Sequence, residues 1–135
     1  MYKDIITIST VSFHAEWGDK ERNINRITGY MEAAAKKGSD LIVFPEMALT
    51  SYDDEPDVPV DQKMQHKLAE TVPGPTSNVI CELAKKLGLY VILGMTLARP
   101  PLPFRECSAL LEAPETKQVC DGSQRRRDFH FLYQA

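Results

Sequence analysis

The sequence predicts an α/β domain in which parallel strands are joined by crossover helices. Residues 24–44 and residues 80–95 repeat one order of features: a helix with one apolar face, two lysines, a glycine and a short apolar strand. Lysines suit the last turn of a helix, where the dipole is negative, and glycine suits the turn that ends it. Two such units in tandem favour a parallel sheet covered by helices.

The composition is that of a single domain. The chain has 135 residues, 43% hydrophobic and 26% charged, with a formal net charge of −3. This balance gives no general attraction to nucleic acid or to an anionic membrane, so neither is predicted as a partner. The first residues lack the apolar core and cleavage site of a signal peptide, and the three cysteines form no disulfide pattern. These features predict a cytoplasmic protein.

The first repeat follows a strand predicted at Ile5–Phe13, which is rich in β-branched residues. Apolar residues at steps of three and four then mark the buried face of a helix. They are Ile24, Ile27, Met31, Ala34 and Ala35. Gly38 ends that helix, and Leu41–Phe44 is a continuous apolar run, typical of a strand covered on both faces.

The second repeat opens with the turn signal Pro73-Gly74-Pro75, for which Thr76 or Ser77 is a candidate N-cap. Its buried helical face is predicted at Ile80, Leu83, Ala84 and Leu87, and its strand at Leu89–Met95.

Three further segments complete the prediction. Between the repeats, a loop beginning at Asp53 leads into Val60, Met64, Leu68 and Val72, whose four-residue spacing predicts another amphipathic helix. Cys107–Ala113 can form a fourth strand. Phe129, Phe131 and Tyr133 alternate, which permits a terminal strand, although an unanchored tail is an equal alternative.

Glu46 is the residue whose position most suggests chemistry. It follows an apolar strand and Pro45, which cannot donate to a sheet ladder, so pairing should end there. Ligands of open α/β sheets bind beyond the carboxyl ends of the strands. Flanked by Phe44, Met47 and Leu49, the carboxylate is expected to be partly desolvated, which favours a general base. A solvated acid that merely closes a strand is the alternative.

The segments DLIVFPEMALTSY and VPGPTSNVICELAKKLGLYVILGMT resemble the N-terminal half of the nitrilase superfamily, also called carbon–nitrogen hydrolases. The resemblance covers residues 4–97, with a weaker match at Ser108–Glu115. It implies the N-terminal part of a nitrilase-like αββα sandwich with β-α-β-α-β order. It also implies hydrolysis of an amide, carbamoyl or nitrile substrate, without cofactor or metal. Because half of the sandwich would leave an apolar sheet surface open, we expect the isolated chain to be marginally stable, to form a homo-oligomer or to aggregate.

The resemblance assigns Glu46 as the catalytic base of a Glu-Lys-Cys mechanism. The cysteine thiolate would attack the substrate carbon, and the lysine would stabilise the developing charge. Tyr52, six residues after Glu46, would contact the substrate; a packed loop aromatic is the alternative.

The chain departs from the family pattern after residue 97. The region expected to hold the lysine, Val119–Phe129, contains Arg125–Arg127 and no lysine. Lys117 reads better as a solvated turn residue, and Cys120 lacks the apolar strand that should precede the nucleophile. We therefore predict a partial hydrolase domain at residues 1–115, a divergent and disordered tail at 116–135, and no activity for the chain alone.

Several other residues are not assigned to the site. Cys81 and Cys107 read as small buried hydrophobes. His14, His66 and His130 lack metal-ligand spacing, so no metal is predicted. The alternative function is a truncated, non-catalytic product that acts, if at all, by binding a full-length partner.

Overall fold

The computed structural model describes residues 5–98, 105–111 and 118–120, with side chains described for residues 5–98. Five strands lie in the described residues: β1 (Ile8–Thr10), β2 (Leu41–Val43), β3 (Tyr90–Leu97), β4 (Arg105–Leu111) and β5 (Gln118–Cys120). The helices are α1 (Lys20–Lys36), α2 (Met64–Leu68) and α3 (Pro75–Leu87), and a short 3-10 turn spans Val60–Gln62.

The strands form one mixed sheet in the order β1-β2-β3-β4-β5. Strands β1, β2 and β3 are parallel, with α1 and α3 between them in sequence, which confirms the predicted α/β class. Strands β4 and β5 add in antiparallel fashion. Strand β5 lies within the segment predicted as a divergent tail, and the division at residue 115 stays a prediction.

One face of the sheet packs against α1 and α3. Alternate residues of the strands point to this face, and they are buried because the helices cover them. The sheet contributes Ile42, Val91, Leu93, Met95 and Leu97; the helices contribute Ile27, Met31, Ala34, Ile80 and Ala84. This is the helical stripe that the three- and four-residue spacing predicts.

The opposite face of the sheet, which we call the open face, is partly exposed. The parallel register aligns Ile8, Leu41 and Tyr90 across β1, β2 and β3, so their side chains share this face. Ile8 is 55% exposed and Tyr90 is 45% exposed. An apolar sheet surface is therefore left accessible at this end of the sheet.

Helix α3 begins two or three residues earlier than the cap candidates imply. Gly74 is the N-cap and Pro75 is the first helical residue, so neither Thr76 nor Ser77 caps the helix and that prediction is wrong. Proline suits this position because its missing N–H would have no partner in the first turn. Ser77 Oγ reaches back to accept a hydrogen bond from Gly74 N at 2.9 Å.

The helix predicted across residues 60–72 is interrupted, which corrects that prediction. Lys63 is extended between the 3-10 turn and α2, and α2 ends at Leu68. The chain must become extended there because Glu70 pairs with the end of β3. Glu70 N donates to Thr96 O at 3.3 Å, and Ala98 N donates to Glu70 O at 2.8 Å.

A partly buried ion pair joins the starts of α1 and α3. Lys20 Nζ donates to Glu70 Oε1 and also to Leu68 O at 3.0 Å. The Glu70 carboxylate accepts from Thr76 N and from Thr76 Oγ1, both at 2.8 Å. Burial acts to raise the pKa of Glu70, but the hydrogen bonds from Lys20 and Thr76 outweigh it, so the pKa lies below its ordinary value of 4.5.

This ion pair predicts an acid-sensitive contribution to stability. Because the folded-state pKa of Glu70 is lowered, its contribution is complete above about pH 4.5 and is lost as the pH falls through the folded-state pKa. Glu70→Gln should lower the free energy of unfolding at pH 7 by about 1–3 kcal/mol. Its stability should then fall less steeply with acid than that of the unchanged chain.

Urea denaturation at a series of pH values from neutral to acid measures both effects. Glu32→Gln is the matched control, since Glu32 lies on the exposed side of α1. Parallel stability curves for Glu70→Gln and the unchanged chain would contradict this account of the ion pair.

Candidate active site

Glu46 lies just beyond the carboxyl end of β2. Phe44 N donates to Ile92 O at 2.9 Å, which is the last bond of the ladder before Pro45 interrupts it. Residues 46–50 then form a turn, and Met47 adopts a left-handed conformation with φ of 54°. Ser51 N closes the turn by donating to Met47 O at 2.9 Å.

The carboxylate of Glu46 is exposed, so the expected desolvation is wrong for the described chain. Its neighbours Phe44, Met47 and Leu49 are buried, at 5%, 1% and 1% exposure. Those three side chains are therefore packed in the protein interior, while Glu46 stays accessible to solvent. The turn itself lies on the open face of the sheet, against Gly94 of β3.

Tyr52 and Glu46 are brought together. Tyr52 Oη donates a hydrogen bond to Glu46 Oε2 at 3.1 Å. Tyr52 is 54% exposed, so its ring is not a packed core aromatic. The bond engages one of the two carboxylate oxygens, and an ionised carboxylate has further lone pairs with which it can accept a proton from a third group.

Asn23, on helix α1, holds the turn through a hydrogen bond to Leu49 O. The sequence alone did not identify this residue. It is fully buried in α1, where its Nδ2 donates to Leu49 O at 3.0 Å and to Glu16 O at 2.7 Å. Its Oδ1 accepts from Glu16 N at 2.8 Å. Asn23 lies one helical turn before Ile27, on the same face of α1 as the predicted apolar stripe. A polar residue at a position on a buried face is the sequence signal that could have identified Asn23 as structurally important.

Two more contacts hold the end of the turn. Gly18 N donates to Thr50 O at 2.9 Å. Gln65, which is 2% exposed, donates from Nε2 to Ser51 O at 3.3 Å. Helix α1, the loop before it and helix α2 therefore all bond the backbone of residues 49–51.

Several of the other residues considered from the sequence lie outside the part of the chain whose side chains the structure describes. Lys117 and Arg125–Arg127 lie outside the described residues, as does His130. Cys107 and Cys120 lie in β4 and β5, whose side chains are outside the described part. Cys81 is half-buried on α3 and packs against the core. Among described residues, no group of three or more His, Cys, Asp or Glu is placed to hold a metal ion.

A shallow depression elsewhere on the surface is separate from this site. Trp17, Lys20, Glu55 and Lys67 are among the residues around its volume of about 630 Å³, and neither Glu46 nor Tyr52 lines it. We place the candidate site at Glu46 because the hydrogen-bonded acid and hydroxyl lie at the carboxyl end of parallel strands. No helix in the described residues is both long and apolar enough to cross a bilayer.

Solved structures with the same fold include a member of the nitrilase superfamily and an amidase. Nit3 of Saccharomyces cerevisiae, from branch 10 of the nitrilase superfamily, matches with a TM-score of 0.63 and 22% identity, over 78% of this chain and 39% of that chain. An amidase from Nesterenkonia sp. matches with a TM-score of 0.57 and 15% identity, over 78% and 37%. The described fold thus corresponds to an N-terminal portion of the αββα sandwich.

Sequence comparison identifies the family to which the chain belongs. Residues 7–133 match the profile of the family described as carbon-nitrogen hydrolase, and the chain belongs to that family. Nitrilase 2 from an unknown prokaryotic organism is 27% identical over 101 residues, which cover 70% of this chain and 32% of the relative. Omega-amidase NIT2 of Xenopus tropicalis is 29% identical over 75 residues, which cover 56% and 24%. The chain therefore spans between a quarter and a third of these relatives.

The buried amide of Asn23 predicts a stability effect. Asn23→Ala would remove the Asn23 partner of Glu16 N and of Leu49 O, while Glu16 O keeps the hydrogen bond from Asp19 N at 3.4 Å. Each unsatisfied buried group costs about 1–3 kcal/mol. We expect the free energy of unfolding to fall by about 2–3 kcal/mol.

Urea denaturation again measures this change. Asn25→Ala is the matched control, because Asn25 is exposed on the same helix, and it should change stability by less than about 0.5 kcal/mol. Equal stabilities of the two variants would rule out a supporting role for Asn23.

Proposed function

We propose that this chain carries the general base of an amidase-type site that hydrolyses a non-peptide carbon–nitrogen bond. The substrate class is a small amide, carbamoyl compound or nitrile. The observation that carries the proposal is the hydrogen-bonded pair of Glu46 and Tyr52 at a strand end, 3.1 Å apart, in a member of the carbon-nitrogen hydrolase family. Names of the relatives, among them omega-amidase NIT2, favour amides over nitriles.

In the proposed mechanism, Glu46 removes the proton of a cysteine thiol as the thiolate attacks the substrate carbon. With an amide substrate, collapse of the tetrahedral intermediate releases ammonia, which carries the transferred proton, and leaves a thioester; a nitrile first gives a thioimidate, which adds water before it releases ammonia. Glu46 then takes a proton from water, and the hydroxide displaces the thiol to give the acid product. A lysine stabilises the negative oxygen of each intermediate. Both partners come from outside residues 5–98.

Tyr52 would act beside this base. Its hydroxyl engages Glu46 Oε2, so the carboxylate is oriented before a thiol approaches the other oxygen. Its exposed ring would also form one side of the substrate site. The exposure of Glu46 means that productive catalysis requires a further surface over the open face, because exclusion of water strengthens the proton transfer.

Substitution of Glu46 tests the role of the base. In a form of the protein that supplies the lysine and cysteine of the proposed site, ammonia release from short amides, carbamoyl compounds and nitriles should fall by about 100-fold or more in Glu46→Gln, since general-base catalysis contributes about 100- to 10,000-fold. Glu32→Gln, an exposed helical glutamate changed in the same way, should keep the rate of the unchanged chain. Full activity of Glu46→Gln would remove the assignment.

A second candidate function is a non-catalytic chain that binds a longer partner of its own family. The observation that favours it is the coincidence of an exposed Glu46 with exposed apolar residues on the open face. An activated ester distinguishes the two. Stoichiometric acylation of Cys120 would support a complete site within the chain, whereas absence of acylation and of ammonia release would support the binding function.

We also propose that the chain forms a homo-oligomer through the open face, because Ile8 and Tyr90 are 55% and 45% exposed there. Size-exclusion chromatography with light scattering should give a mass above the 15.2 kDa of one chain. Tyr90→Lys should shift the distribution toward the monomer, because it places a charge in the contact. Val79→Lys, at a 50% exposed position on α3, is the control. A clean, stable monomer of the unchanged chain would contradict this proposal.

A further inference from the structure

The backbone that carries Glu46 lies directly on strand β3 at Gly94. A Cβ atom added at Gly94 would lie 2.7 Å from Glu46 Cα, 3.0 Å from Pro45 O and 3.1 Å from Met47 N. All three neighbours are backbone atoms, so no flexible side chain could move aside. Carbon atoms in van der Waals contact are about 3.5–4.0 Å apart, so even a methyl group would displace the turn.

Gly94 is required for space and not for backbone freedom. Its φ is not in the left-handed region, unlike those of Gly18, Gly38 and Gly88, and it belongs to a regular strand. Glycine inside a strand weakens it, and a close approach of another backbone is one reason for its presence. That approaching backbone is the one that carries Glu46.

Thr96 makes the neighbouring contact. Residues Gly94 and Thr96 alternate along β3 and share the open face, since Leu93, Met95 and Leu97 belong to the core on the other side. Thr96 Oγ1 donates to Met47 Sδ at 3.8 Å, and both residues are buried, at 2% and 1% exposure. Gly94 and Thr96 together form a seat for the turn.

We propose that this seat, formed by Gly94 and Thr96, is a positioning device that sets the place of the Glu46 carboxylate. The inference rests on the function proposed for Glu46. Gly94 lets the turn approach the sheet, and Thr96 holds Met47 beside it. Together they fix the height of Glu46 above β3 and its alignment with Tyr52.

Hydrogen bonds to the rest of the protein hold residues 49–51, at the C-terminal end of the turn. The carbonyl groups of Leu49, Thr50 and Ser51 are each bonded to a different part of the protein, through Asn23, Gly18 and Gln65. A side chain at position 94 would therefore displace Pro45–Met47, and Glu46 with them. A misplacement of about 1 Å at a catalytic group can cost about 100-fold in rate.

The test compares Gly94→Ala with Gly29→Ala. The chemical change is the same, but an added Cβ at Gly29 has nothing within 4 Å. In Gly94→Ala, the backbone amide and side-chain carboxyl resonances of Glu46 should shift, together with the amide of Met47. Where ammonia release is measured, kcat should fall about 100-fold while KM changes much less. Gly29→Ala should change none of these readouts.

Unchanged Glu46 and Met47 resonances in a folded Gly94→Ala variant would overturn the proposal. So would the absence of a nuclear Overhauser effect between the Hα atoms of Gly94 and Glu46 in the unchanged chain. If Gly94→Ala does not fold, the same resonances are measured in Thr96→Val, an isosteric change that removes the contact with Met47 Sδ; unaltered shifts there would also overturn it.

The two proposals fail in different ways. If Glu46→Gln retains full ammonia release, the proposed function fails while the resonance shifts still report whether the seat positions Glu46. If Glu46→Gln abolishes activity but Gly94→Ala changes neither the resonances nor kcat, the function stands and the seat does not.

Discussion

Burial of one face of the three parallel strands under α1 and α3 is the constraint on which the rest of the structure depends. Side chains alternate along a strand, so packing Ile42, Val91 and Leu93 against the helices commits their neighbours to the open face. The chain leaving β2 must then pass over the sheet. Pro45 ends the ladder at that point, and the turn carrying Glu46 lies across β3.

The site depends on this geometry because the contacts that anchor the turn to the rest of the protein come from distant parts of the chain. Asn23 bonds Leu49 from the helical side, while Gly94 and Thr96 support Pro45–Met47 from the sheet. Buried polar groups of this kind are costly unless all are satisfied, and Asn23 uses both its amide and its carbonyl. A rigid turn therefore presents an exposed carboxylate.

The exposure of Glu46 is consistent with the small part of its relatives' length that the chain covers. The chain covers 32% of the length of Nitrilase 2 and 24% of the length of omega-amidase NIT2. The open face bears exposed Ile8 and Tyr90 at the amino ends of β1 and β3, and Glu46 is exposed beyond the carboxyl end of β2. A surface that covered the whole length of these strands would bury the apolar groups and desolvate the acid.

Much of the fold could be predicted from the sequence because it depends on local patterns. The faces of α1 and α3, the glycine that ends α3 and the strand before Pro45 all follow from apolar spacing and from residues with restricted backbones. The helix across residues 60–72 failed because the pairing of Glu70 with β3 overrides its spacing. The position of Glu46 at a strand end was equally local, and its pairing with Tyr52 needed only six residues of chain.

By itself, the sequence determined that an acid follows a buried strand, because strand, proline and glutamate are consecutive. Only the tertiary structure decided that the acid is exposed, and that Asn23 and Gly94 support its turn. In the sequence, Asn23 lies in helix α1, before Glu46, and helices α2 and α3 separate Glu46 from Gly94. They meet it only when α1 and β3 pack, a relation that periodicity along the chain does not contain.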